Sequence, residues 1–297
     1  MNIAVMYSGV GGGNGADYVA DFLVNGFREV GADVCTIGKF GGYDAKTVNI
    51  PDVDLIVHSS GFNLTPSLIN RLQQTAPVAM WTHNDEIGWW KSLIAPVSKL
   101  VNAHYSYTKA HTYGNHVRYM PLAADNRQYF PMYDKYEDNK VYDVALIGAK
   151  RQWRFDFTEE LGKRFPRHFF SYTMSLGSSK INDVYNHTKV VVAPVQDCDE
   201  DAPASAWGCP CRTFDVPASR CCQIQVNRGG LNDVYPGCIK IAPIEDVMEA
   251  IEVWEKQIHY LIDHSNYRAD VAEFDYLHTI NNHLYKHRAE QFIREVI

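Results

Sequence analysis

Ile181-Asn-Asp-Val-Tyr185, Lys189-Val-Val-Val-Ala-Pro194, Arg212-Thr-Phe-Asp215 and Gln223-Ile-Gln-Val226 follow one another within Ile181 to Ile241, the stretch that decides the fold. The first segment reads as a short helix. The second is an unbroken run of apolar, mostly β-branched residues, the signature of a strand buried on both faces. A loop leads to the short segment carrying Arg212 and Asp215, and a second buried strand closes at Asn227-Arg-Gly-Gly230. Helix, strand, loop, helix and strand make half of a nucleotide-binding α/β unit. Sheets of this kind bind ligands outside the carboxyl ends of their strands. The stretch is therefore read as the floor of a nucleotide site.

Working outward, the same alternation covers the chain. Ile3 to Tyr7 is a buried strand, followed by the glycine run Gly9 to Gly15 and a helix with Val19, Phe22, Leu23, Phe27 and Val30 on one face. Asp33 to Ile37, Leu55 to His58 and Val78 to Trp81 continue as strands, with a helix over Leu64 to Gln74. Tyr133 to Lys140 is charged and bounded by Pro131, and is read as a domain linker. A second series starts at Val141, with a strand over Val144 to Ile147, a helix over Phe155 to Phe165 and a strand over Phe169 to Met174. Glu245 to Ile262 is an amphipathic helix with Val247, Met248, Ile251, Trp254, Ile258 and Leu261 inward, and Asn282 to Ile297 is the last helix. The expected domains are 1–132 and 141–281, with residues 282–297 packing back on the first.

Composition sets the bounds. At 297 residues with 46% hydrophobic residues the chain can fill two cores. A net charge of −7 gives no global field toward nucleic acid or anionic lipid. No apolar run approaches the roughly 20 residues that span a bilayer. The amino terminus has no basic region and enters a glycine-rich loop, so it reads as a strand and not as a signal peptide. Seven cysteines, an odd count outside any disulfide-scaffold pattern, point to reduced thiols and a cytoplasmic protein.

Several residues are candidates for chemistry. Gly11, Gly12, Gly13 and Gly15 lie between a strand and a helix, where backbone N–H groups approach a phosphate or sugar. The spacing is neither G-x-G-x-x-G nor a Walker motif, and a plain flexible loop is the competing reading. Lys150 and Arg151 follow a strand and would neutralise a leaving diphosphate, or else form a solvated turn. Arg212 and Asp215 share a helical face, as phosphate and hydroxyl ligands or as a simple ion pair. His83 and Asp85 follow the strand Val78 to Trp81, and Asp17 stands just beyond the glycine loop; each would take a proton from an acceptor hydroxyl. Asp197 and Asp199 form a D-x-D, read as an acidic loop in preference to a metal–diphosphate site. Cys209, Cys211, Cys221 and Cys222 fit zinc poorly and are read as buried thiols. The basic-aromatic segment from Lys150 to Phe155, with Lys163, Arg164, Arg167 and His168, is the one cationic concentration; it would track a nucleic-acid backbone and be the contact for a DNA acceptor, while a charged outer helix face explains most of it.

With these residues in view, the chain resembles the GT-B glycosyltransferases, specifically the CgeB-like group of glycosyltransferase-family-1 domains. Tyr119-Met-Pro-Leu-Ala-Ala-Asp125 with Tyr129-Phe-Pro131 looks like the segment before the second domain. Val144-Ala-Leu-Ile-Gly148 with Lys150 and Arg151 looks like the turn that opens the donor domain. Ile181-Asn-Asp-Val-Tyr-Asn186 with Arg212-Thr-Phe-Asp215, and His283-Leu-Tyr-Lys-His-Arg288, complete the likeness. Asp215 stands where the family has Glu, one methylene longer.

The resemblance implies two Rossmann-like α/β domains facing across a cleft. It also implies transfer of a sugar from a nucleoside-diphosphate sugar to a hydroxyl acceptor. The donor would be held by Gly148, Lys150, Arg151 and Tyr185, with Arg212, Asp215 and Arg228. The sugar nucleotide is a co-substrate, and neither a cofactor nor a metal is expected. The acceptor is open, with DNA among the candidates because compact GT-B enzymes modify hydroxymethylated viral bases. A nucleotide-sugar-binding protein without turnover is the other alternative.

Overall fold

The computed structural model describes residues 1–8, 15–39, 42–83, 88–109, 115–137, 139–172, 176–194 and 207–297. The chain divides into two compact units. The first comprises Met1–Ala123, Trp207–Cys209 and Leu284–Ile297, and the second Ala124–Ala206 and Pro210–His283.

In the first unit, β1 (Asn2–Met6), β2 (Asp33–Ile37), β3 (Leu55–Ser59), β4 (Val78–Thr82), β5 (Ala103–Ser106) and β6 (Val117–Tyr119) form a parallel sheet in the order β2-β1-β3-β4-β5-β6. Helices α1 (Gly15–Glu29), α2 (Pro66–Leu72) and α3 (Gly88–Ser98) connect the strands. Strands β3, β4 and β5 are buried at every position, as an apolar run covered on both faces must be. Thr65 caps α2, its hydroxyl accepting from the Leu68 N–H, and Pro66 occupies the first turn, where a missing N–H costs nothing.

In the second unit, β7 (Tyr142–Ile147), β8 (His168–Ser171), β9 (Thr188–Ala193), β10 (Cys222–Val226) and β11 (Ile239–Ile241) form a parallel sheet in the order β11-β10-β9-β7-β8. Its helices are α4 (Gln152–Arg164), α5 (Ser178–Asn186), α6 (Arg212–Ala218), α7 (Gly229–Val234), α8 (Val247–Asp263) and α9 (Ser265–Asn282). One core joins Val144, Leu146, Phe157, Leu161, Val190, Val192, Cys222 and Ile224 to Ile251, Trp254, Ile258 and Leu261 of α8. The chain runs from β7 to β8 on one side and then to β9 on the other. The resulting crevice lies at the carboxyl ends of β7 and β9, the usual ligand position in such sheets.

The last helix, α10 (Tyr285–Val296), belongs to the first unit and packs on α1. Tyr285 lies 5.5 Å from Phe22, and Phe292 lies 6.0 Å from Phe27 and 4.8 Å from Tyr105, ring centre to ring centre. Gly26 lets the backbones meet: a Cβ there would sit 2.6 Å from the Tyr285 carbonyl. Arg288, in the same first turn of α10, adds hydrogen bonds to the Pro121 and Leu122 carbonyls at 2.7 and 3.0 Å.

Three sequence expectations need correction. The division falls at Ala123/Ala124 and not between residues 132 and 141, and Leu284 opens the returning segment. The cause is that the expected linker is bound tightly to the second unit. The Tyr133 hydroxyl pairs with His187 at 2.7 Å, buried Tyr136 donates to the Lys189 carbonyl, and Lys140 donates to the Asn186 carbonyl at 2.8 Å. Met248 is half exposed, and Ala250 takes the inward position on α8. Finally, α3 and α9 are full helices with no counterpart in the sequence reading.

Candidate active site

Gly148 opens the turn after β7, its N–H donating to the Ser171 carbonyl at 3.0 Å. A Cβ at this position would collide with Arg212 Nη2 and lie 2.9 Å from Arg154 Nη1. Two guanidinium groups therefore converge on one backbone turn at the crevice. Arg154 is buried on α4 and is held by its donation to the Ala149 carbonyl. Arg212 opens α6 and hydrogen-bonds the buried Tyr185 side chain of α5. The amino end of α4 faces the same turn and adds its partial positive charge.

Asp215 lies one helical turn after Arg212 and is 7% exposed. Its Oδ1 and the Arg212 Nε are both buried without a hydrogen-bond partner. Burial pushes the Asp215 carboxyl well above the usual range; Arg212 pulls it back, and the neighbouring Asp125 pushes it further up. A buried carboxyl oxygen left unsatisfied costs free energy unless a ligand or water supplies a donor. Tyr129 completes the surroundings, its hydroxyl bonded to Ser178 and its ring 6.3 Å from that of Tyr185.

The other expected donor residues lie differently. Lys150 is exposed, with its ammonium 4.1 Å from the centre of the Phe155 ring. Arg151 is exposed at the N-cap position of α4. Arg228 is partly buried at the N-cap position of α7, after the carboxyl end of β10. Arg154 was missed by the sequence reading, although a signal exists: it shares a helical face with Phe157, Thr158 and Leu161, all buried.

In the first unit, His83 follows β4 and is buried, with its Nε2 3.2 Å from the Ser59 hydroxyl. Burial pushes its pKa down to about 4, far below the near-neutral value that suits a general base. Asp17 accepts from the Ser8 hydroxyl at 3.2 Å, beyond the end of β1. Gly15 is the first residue of α1. Gly11, Gly12, Gly13, Asp85, Asp197 and Asp199 lie outside the described residues. Among the described residues no group of three or more His, Cys, Asp or Glu side chains is arranged to hold a metal ion. Cys222 faces the core, and the Cys221 thiol contacts the Thr188 carbonyl.

The carboxyl-terminal half of the basic-aromatic segment is paired with acids. Lys163 pairs with Glu160, Arg164 with Glu255, and Arg167 with Asp143 at 2.7 Å.

Comparison with known proteins adds an independent line. A glycosyl transferase-like family model matches residues 132–294, more than half of the chain. The chain belongs to this family. The transferase's fold is that of GT-B glycosyltransferases. It is similar to an alpha-glucosyltransferase in complex with UDP-glucose and DNA containing an abasic site, at 13% identity over 99% of each chain, with a TM-score of 0.66. It is also similar to the pneumococcal O-GlcNAc transferase GtfA in complex with UDP and GlcNAc, at 13% identity over 85% of this chain and 58% of that one, TM-score 0.56. The N-terminal domain of Candida albicans trehalose-6-phosphate phosphatase matches at 9% identity over 99% and 96%, TM-score 0.62. Such identities speak to the fold alone. No curated protein matches the transferase in sequence. Among the described residues, no helix is long and apolar enough to cross a membrane.

Proposed function

We propose that this glycosyltransferase takes its sugar from a nucleoside-diphosphate sugar held in the second unit, and passes it to a hydroxyl acceptor without a metal ion. The observation that carries the reading is the convergence of Arg154 and Arg212 on Gly148 beside a buried, partly unsatisfied Asp215. Breaking the sugar–phosphate bond leaves negative charge on the departing diphosphate. Two preorganised guanidinium groups and a helix amino terminus stabilise that charge where it develops, which is the work a divalent cation does in other transferases. Asp215, with an open acceptor oxygen, suits a ribose or hexose hydroxyl, and that bond repairs its unsatisfied burial. Lys150, Arg151 and Arg228, near strand ends of the same sheet, are assigned to the periphery of the donor.

The acceptor side is assigned to the carboxyl ends of β1, β3 and β4, where Asp17 and His83 stand. Asp17 is the better candidate for the base, because burial disfavours protonation of His83. A DNA acceptor draws support from the nucleic acid bound to the alpha-glucosyltransferase neighbour. The paired cations of α4 and its flanks argue against that segment as the contact. Salt-sensitive retention on duplex DNA would restore it.

The test is a thermal-shift panel of UDP, GDP, ADP and TDP sugars. A ligand at a hundred times its dissociation constant stabilises the fold by about 2.7 kcal/mol. One nucleotide should shift the transition, and both Arg212→Ala and Asp215→Ala should abolish that shift. No shift with any nucleotide overturns the donor assignment.

A further inference from the structure

The segment Ile181-Asn-Asp-Val-Tyr-Asn186 carries two asparagines one helical turn apart, and neither points at the Gly148 turn. Both are buried on α5. Asn182 Oδ1 accepts from the Ser219 hydroxyl at 2.8 Å, from the Phe130 N–H at 3.1 Å and, more weakly, from the Asn186 amide at 3.2 Å. The Asn186 amide donates to the Phe130 carbonyl at 3.0 Å and the Asn182 carbonyl at 2.9 Å, and its oxygen accepts from the Met132 N–H at 2.7 Å. Ser219 closes α6, and its N–H donates to the Asp215 carbonyl at 3.1 Å.

We infer that Asn182, supported by Asn186, is the positioning residue of the donor site. Resting on the donor-site reading above, this goes beyond it by assigning the pair that sets the site's geometry. Three chain segments supply the side chains around Asp215: α5 brings Tyr185, α6 brings Arg212 and Asp215, and residues 125–132 bring Asp125 and Tyr129. Asn182 bonds to the other two segments directly from α5, through a single oxygen atom. No apolar residue of the same size does this, because the Phe130 N–H would lose its acceptor and the Ser219 hydroxyl would keep only the Asp215 carbonyl of its own helix, at 3.0 Å. An aspartate does, since its carboxylate offers the same acceptor geometry to the same donors.

The experiment compares wild type, Asn182→Ala, Asn182→Asp and Ile258→Val, a core change in α8 remote from the network. Calorimetric affinity for UDP, GDP, ADP and TDP is measured where every variant is folded, together with hydrogen exchange of residues 125–132 and 212–219. Misplaced contact groups lose affinity steeply, so Asn182→Ala should weaken binding by about tenfold or more. Asn182→Asp should restore it to within about threefold, and Ile258→Val should leave it unchanged. Exchange should accelerate in both segments together in Asn182→Ala alone. Wild-type affinity in Asn182→Ala overturns the positioning role and leaves the donor reading standing. A wild type that binds none of the four nucleotides overturns the donor reading, and with it the role of Asn182 in that site. Exchange then still decides whether Asn182 couples the segments, and unchanged exchange overturns the coupling too.

Discussion

At the residue scale, two positions separate binding from stability. Gly148 is short of a Cβ because Arg212 and Arg154 occupy that space. Gly148→Ala pushes aside the ends of two flexible side chains and no backbone, so the melting temperature should hardly move. Nucleotide affinity should fall by about tenfold, the loss of roughly one charge-assisted hydrogen bond, and calorimetry beside thermal denaturation checks both halves. Asp275 gives the opposite case. It is buried on α9 with Oδ1 unsatisfied, and burial raises its pKa from 3.8 to about 7, with Lys240 drawing it back. A carboxyl with a raised folded-state pKa holds its proton in the native state after the unfolded chain has lost it. Stability therefore falls as pH rises from about 4 to about 7. Asp275→Asn should match wild type near pH 4 and gain on the order of 1–3 kcal/mol at pH 8, read from urea melts at both pH values. Sequence singled out Arg212, Asp215 and Tyr185 through their motifs, and the structure brings the three side chains together. It hid the partnership of Arg154, because the neighbouring Lys150 and Arg151 offered a nearer and more obvious pair of charges.

At the scale of elements, legibility followed burial. Strands β1, β3, β4, β7 and β9 read clearly because a doubly covered parallel strand is a largely continuous apolar run, while β10 alternates Cys222, Ile224 and Val226 with buried Gln223 and Gln225. Helix α9 did not, because Arg268, Ala272, Asp275 and Thr279 form its buried face, and a polar stripe leaves no hydrophobic period. Arg268 is paid for by its Nη2, which donates to both Glu137 carboxylate oxygens at 2.7 and 2.6 Å. Glu137 belongs to the same charged stretch that looked like a linker. Composition alone could not reveal that Tyr133, Tyr136 and Lys140 within it each find a partner on the second unit. Helix α3 was obscured by Pro96 inside it. The α1–α10 contact makes a direct prediction. Gly26→Ala would place a methyl group against the Tyr285 backbone, which cannot swing aside as a side chain can. It should destabilise the protein by about 1–3 kcal/mol, visible as a lower urea midpoint, and leave nucleotide affinity in the intact fold unchanged.

At the scale of the whole molecule, two parallel-sheet units share one plan: the sheet orders match at β2-β1-β3-β4-β5 and β8-β7-β9-β10-β11. The same winding places the end of β1 in one unit and the end of β7 in the other at a switch point, and the candidate residues gather at both. Family membership supplies the reaction class; the arrangement of Arg154, Arg212 and Asp215 supplies the account of how the donor is held. Its central claim is that protein cations, and no metal, bind the diphosphate. The most direct measurement is calorimetric titration of the preferred nucleoside diphosphate and its monophosphate in excess chelator, with wild type and Arg154→Ala/Arg212→Ala. The account predicts that wild type prefers the diphosphate by about tenfold or more, since each charge-assisted bond contributes roughly 1.5–3 kcal/mol, and that the double variant loses the preference. Equal affinity for both nucleotides in wild type, or binding that disappears when chelator is added, would contradict it.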